Sequence, residues 1–345
     1  MQEADSRRAL IAVARGERLD PALVTEALVA AAEREGLLGL LARATNGGPR
    51  SLRVRATALE ARNAIMLAEL QRIAAAFVDV KLLVFKGPLL SQQLYGDPHL
   101  RDFSDLDLLV APEDVDRAIA ILAALGYRDP EPVPRDKLAL HRRSNNASIL
   151  VHDAKRIVVD LHWRFTPAHL PPDLSFSEVW SRRATALGMQ TLGAEDLALL
   201  VATHAAKHLW NKLELFAQIH ALGRGRVDWH VLDELATRTR VQRQVGLSFV
   251  LAGEILGTPL PPLERSLAAA APVIANVRKL AATKKPDASG RDHFLLLDRR
   301  RDAWRALAVA ALVPTHADWG ERTSRGAWVR RPFRLLTKYL RKWLE

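Results

Sequence analysis

Apolar positions recur at helical spacing from about residue 5 to residue 77, as in PALVTEALVAAAEREGLLGLLARA and LRVRATALEARNAIMLAELQRIAAAF, with the turn-like TNGGPR between them. A helical N-terminal region over residues 1–78 is therefore expected. The period then changes. KLLVFKG reads as a short buried strand ended by glycine, and PLLSQQLY as a helix with Pro88 in its first turn. After the loop GDPHLRDFS comes the strand DLDLLV, then the helix PEDVDRAIAILAALG, entered through Pro112 and stopped by Gly126. ASILVHD and RIVVDLHWRF predict two more strands, joined by a turn around Asp153 to Lys155. From about residue 190 the pattern is helical again, broken at GRGRVDW, GTPLPP and KKPDASG. The expected organisation is helical over residues 1–78, an α/β core over 79–188 and a helical C-terminal domain over 189–345.

The 345-residue length suits two or three structural units. No apolar run approaches the roughly 20 residues of a membrane span, and MQEADSRRALIAVARGERLD lacks the apolar core of a secretory signal, so a cytoplasmic protein without a transmembrane helix is expected. The absence of cysteine excludes disulfides, thiolate metal sites and a cysteine nucleophile, which leaves oxygen and imidazole as metal donors. The net charge of +11 favours phosphate-rich ligands, nucleic acid or an anionic membrane. Part of that charge lies in the tail from Arg322 to Glu345. There Leu336, Leu340 and Trp343 fall on one side of a helix, which is expected to dock by its apolar side; contact with an anionic surface is the other reading.

The carboxylates carry the chemistry. On a strand, Asp105 and Asp107 project to the same side and repel, an arrangement that becomes favourable around a divalent cation; Mg2+ takes one or two carboxylates and fills its shell with water and substrate phosphates. A third carboxylate, Asp160, follows three β-branched residues in RIVVDLHW and shares a strand face with His162, a candidate nucleotide or acceptor contact. Upstream, VFKGPLL places Gly87 between a strand and a helix whose amino end favours anions, with Lys86 in reach of the same phosphates. Arg101 stands where it can bind phosphate or brace Asp102. His204 and His208 lie four apart in HAAKHLW, which lacks the glutamate of a zinc-binding HExxH; they are expected to pack the helical region on the core or line an acceptor cleft. Asp228 is the expected cap of a helix that starts at Trp229.

LLVFKGPLLSQQLYGDPHLRDFSDLDLLVAPEDVDRAIAILAALGYR followed by VVDLHWRF resembles a bacterial nucleotidyltransferase family often labelled uncharacterised, a branch of the polymerase-β-like superfamily. EDLALLVATHAAKHLW, VDWHVLDELA, EILGTPLPP and PTHADW resemble its downstream helical landmarks, so the resemblance covers most of the chain. It implies an α+β fold, a small mixed β-sheet core flanked by helical N-terminal and C-terminal regions. It also implies two Mg2+ ions held by the pair Asp105 and Asp107 and by Asp160. The implied reaction moves a nucleoside monophosphate from an NTP to an acceptor oxygen with release of pyrophosphate, Asp160 also serving as base. Lys86, Gly87, Arg101, Ser104 and His162 are the expected nucleotide contacts. Two departures stand out: Lys86-Gly87-Pro88 replaces the superfamily's Gly-Ser, and Gln218 stands where aspartate is expected. The acceptor is open between RNA, protein, peptide and small molecule. A glycosyltransferase holding a nucleotide-sugar through DxD, and a non-catalytic binding protein on the same scaffold, are the alternatives.

Overall fold

The computed structural model describes residues 2–283 and 294–312. Four helices come first: α1 (Gln2–Ala14), α2 (Glu26–Arg34), α3 (Leu38–Ala44) and α4 (Arg50–Ala76). α4 is the long one, about 40 Å at 1.5 Å per residue. Its buried stripe runs Leu52, Ala56, Leu59, Asn63, Met66, Leu70 and Ile73, alternating steps of three and four residues. Asn63 is the polar member of that stripe and is fully buried. Its amide donates to the carbonyls of His99 and Arg101, 2.7 Å each, which fastens the loop that leads to the second strand.

A four-stranded sheet follows, built from β1 (Leu82–Val84), β2 (Asp105–Val110), β3 (Ala147–His152) and β4 (Ile157–His162) in the order β1-β2-β4-β3. β2 and β4 are parallel inner strands, while β1 and β3 pair antiparallel at the edges. Helix α5 (Gly87–Tyr95) links β1 towards β2, and α6 (Val115–Ala124) and α7 (Leu138–Ser144) occupy the crossover to β3. The strand period divides the sheet into two faces. Leu82, Val84, Leu106, Leu108, Val110, Val159 and Leu161 pack with Met66, Leu70 and Ile73 of α4 and with Ala118 and Leu122 of α6. Leu83, Phe85 and Leu109 belong instead to the apolar cluster formed by the helices on the other side. Each fully buried leucine stabilises by about 1.5–3 kcal/mol, so the sheet can carry charged residues on one face.

After α8 (Phe176–Ser181), the strands β5 (Ala184–Ala186) and β6 (Met189–Thr191) form a hairpin that straddles residue 188, with Leu187 and Gly188 both at positive φ in the turn. The remaining elements are helical, as the spacing predicts: α9 (Ala194–Lys207), α10 (Leu213–Leu222), α11 (Trp229–Thr239), α12 (Gln242–Leu256), α13 (Glu264–Ala270), α14 (Ile274–Thr283) and α15 (Arg300–Leu312). Asp228 caps α11, accepting from the amides of His230 and Val231. The expected α+β architecture, a small mixed sheet with flanking helices, is the one observed. Among the described residues no helix is long and apolar enough to cross a membrane. The tail from Arg322 to Glu345 lies outside the described residues.

Candidate active site

The parallel register pairs Asp107 of β2 with Asp160 of β4, and Leu109 with His162. Two carboxylates thus stand side by side on the inner strands, and the same face holds Asp105 two residues before Asp107. Asp107, Asp160 and His162 each offer a ligand atom within 4.8 Å of the others; Asp105 is not part of that group. At such a separation and an effective dielectric constant of about 20, two carboxylate charges repel by roughly 3 kcal/mol.

That repulsion is visible in the protonation equilibria. Burial pushes the Asp105 carboxyl above its ordinary value, and the charge on Asp107 adds to the rise. Asp160 is raised in the same way, by burial and then by Asp107 and Asp105. Burial would also raise Asp107, but the Lys86 ammonium and His162 outweigh it and hold this carboxyl well below the usual range. Lys86 Nζ lies 2.9 Å from Asp107 Oδ1. His162 Nε2 is 3.3 Å from the same oxygen. Lys86 is bonded to Asp107 rather than to Asp105 or Asp160, and a set of acidic oxygens so crowded suits a divalent cation.

Lys86 enters from the end of β1. Gly87 has φ +55°, a conformation that glycine adopts without the penalty of a Cβ, and it opens α5 with Pro88 in the first turn. The nearest atom to a Cβ added there is 3.7 Å away, so conformation rather than crowding requires the glycine. His162 is fixed by its surroundings: Phe85 meets its ring edge-on at 5.1 Å, and its Nδ1 lies 3.3 Å from Asn146 Nδ2 and 3.4 Å from the Arg164 carbonyl.

The end of α9 carries two groups that feel the charges of this face. The Lys207 ammonium is depressed by its crowded setting and by Lys86, while Asp107 and Asp160 pull it back up, so it stands within the field of the carboxylates although exposed to solvent. His204 is held neutral, well below its ordinary value, by burial and then by Lys86, and its ring meets that of His208 at 4.6 Å. Neither histidine belongs to the metal-competent group with Asp107 and Asp160.

Two expectations are redirected. Arg101 neither braces Asp102 nor reaches outward: it is buried and donates Nε and Nη2 to Glu214 Oε1 of α10, at 3.1 and 2.8 Å. Asp102 is held by Arg62 of α4, 2.6 Å away. Gln218, at the position where an aspartate is expected, donates to that same Glu214 oxygen at 2.9 Å. Ser104 is exposed at the mouth of β2. Sequence reasoning missed Asn63, Glu214 and Asn146. For Asn63 a signal existed, since it interrupts the apolar stripe of α4; for the others the contacts are between distant segments. The cavity of about 470 Å³ bordered by Phe77, Lys81, Trp180 and Gln190 lies at the outer edge of β1 and contains none of the carboxylates.

A small mixed sheet with carboxylates on adjacent inner strands and a lysine-glycine turn beside them matches the arrangement expected from the resemblance. Residues 21–257 match the family described as "Uncharacterised nucleotidyltransferase", and the chain belongs to that family. It is accordingly a transferase enzyme. Neither a curated protein nor a solved structure matches the chain.

Proposed function

We propose that the protein transfers a nucleoside monophosphate from an NTP to an acceptor oxygen, using Mg2+ at Asp105, Asp107 and Asp160. The observation that carries the reading is the register of the two parallel inner strands, which sets Asp107 beside Asp160. The acceptor oxygen attacks the α-phosphorus; the new P–O bond forms as the bond to the bridging oxygen breaks, and pyrophosphate departs. Asp160, whose carboxyl is raised by burial and by its acidic neighbours, takes the acceptor proton. Lys86 exchanges Asp107 for the donor's phosphates, and the amino end of α5 behind Gly87 favours the same negative charge. Bound Mg2+, two ions in the full assembly, supplies neutralisation of the triphosphate and lowers the pKa of the acceptor hydroxyl. Lys207 stands in the field of Asp107 and Asp160.

The test is the melting temperature of the purified protein with each NTP, with and without Mg2+, beside Asp107→Asn. A ligand at 100 times its dissociation constant stabilises by about 2.7 kcal/mol, a shift of several degrees. A Mg2+-dependent shift with an NTP in the wild type and none in Asp107→Asn is the expected result. A shift with nucleotide-sugars and with no NTP would instead make the chain a glycosyltransferase.

A further inference from the structure

Resting on the nucleotidyltransferase reading of this site, we propose that His162 is itself a metal ligand. With Asp107 and Asp160 it forms a mixed nitrogen–oxygen position that takes a first-row transition-metal ion in preference to Mg2+, leaving the all-oxygen position at Asp105 and Asp107 for Mg2+.

Three observations converge on His162. It is 8% exposed, and its buried Nε2 makes no hydrogen bond of good geometry, its near neighbour being Asp107 Oδ1 at 3.3 Å. A ring nitrogen of His162 is within 4.8 Å of an oxygen of Asp160. A buried imidazole nitrogen left unpaired costs free energy unless something meets its lone pair, and a cation between two carboxylates does so. The second ring nitrogen is provided for: Nδ1 lies 3.4 Å from the Arg164 carbonyl, the arrangement in which a ligating histidine donates its other N–H to a backbone oxygen and presents Nε2 unprotonated. Phe85 and the turn of backbone at Arg164 fix the plane of the ring.

The donor set decides the metal. Mg2+ keeps to oxygen ligands and sheds water reluctantly, whereas imidazole suits first-row transition ions, whose affinity for nitrogen donors rises along that row. An Asp-Asp-His group therefore discriminates where three aspartates would not. The competing tautomer has Asn146 Nδ2, 3.3 Å away, donating to Nδ1; Nε2 then carries the proton and donates towards Asp107, and His162 holds no metal. The two arrangements give opposite spectroscopic results.

The experiment uses Mn2+ as probe on the full-length protein with a non-hydrolysable NTP analogue present. Pulsed electron paramagnetic resonance of bound Mn2+ should show coupling to a ligand nitrogen that changes when the protein is made with isotope-labelled histidine. The coupling should vanish in His162→Gln and persist in His204→Gln. Competition titration should give Mn2+ a dissociation constant at least about tenfold below that of Mg2+, a gap that closes in His162→Gln. The labelled wild type keeps the test valid even where His162→Gln folds poorly. Mn2+ bound in an Asp107-dependent way with no histidine coupling would overturn the assignment of His162 while leaving the proposed function standing. No Mn2+ or Mg2+ binding in the presence of nucleotide would overturn both.

Discussion

Replacing Arg101 by methionine separates the contribution of a single buried ion pair from everything else that holds β2 in place. Arg101 and Glu214 are 10% and 12% exposed at their side chains, and Glu214 Oε1 accepts from Arg101 Nε, Arg101 Nη2 and Gln218 Nε2. Removing the guanidinium leaves a carboxylate in a nearly dry site with one amide donor, a situation that costs about 3–5 kcal/mol. A kcal/mol moves the melting temperature by about 2–4 °C in domains of 150–250 residues and less in a longer chain, so Arg101→Met should melt roughly 5–10 °C lower. The double variant Arg101→Met/Glu214→Leu removes both charges and should recover most of that loss. Calorimetry of the wild type, both single variants and the double variant closes the cycle. A single variant within 2 °C or so of wild type, or a double variant that simply sums the two losses, would refute the reasoning. Since Arg101 precedes β2 by a few residues, the same substitution should also weaken the NTP-dependent shift.

The turn before α5 should be sensitive to conformation: Gly87→Ala forces a Cβ residue to φ +55° and costs about 1–2 kcal/mol, read as a lower melting temperature with a smaller NTP-induced rise, and an unchanged melting curve would refute the requirement. Glu69, pushed up by burial but held down to about 2 from 4.5 by Arg72, Lys155 and Tyr127, binds protons less readily when folded than when unfolded. Its stabilisation is therefore complete above 4.5 and is lost as the pH falls towards about 2; denaturation midpoints measured across that window should drop less steeply in Glu69→Gln, and equal slopes would remove Glu69 as the cause.

Much of this was legible in residue order. The change of period located β1, β2, β3 and β4, the glycine at 87 announced a turn, and strand alternation put Asp105 and Asp107 on one side, whereas the register that sets Asp160 beside them is a property of the fold. The hairpin of β5 and β6 was not legible, since each strand has three residues and too few positions to show a period. Arg101 was placed beside its neighbour in sequence, Asp102, whereas its partner lies on α10, more than a hundred residues away. No local pattern encodes such a pair. The nearness of Lys207 to the carboxylates depends likewise on how α9 meets the sheet, which residue spacing does not state.

The parts of the site differ in how firmly they are hung. β2 and β4 are inner strands, each laced to a neighbour on both sides, so Asp107 and Asp160 cannot shift without breaking two ladders at once. Lys86 and Gly87 hang from β1, a three-residue strand at the rim that is paired along one side to β2. The spacing of the two carboxylates is thus secured by the ladders themselves, whereas the position of Lys86 and Gly87 is secured by the burial of Leu83, Val84, Phe85 and Leu89 around them.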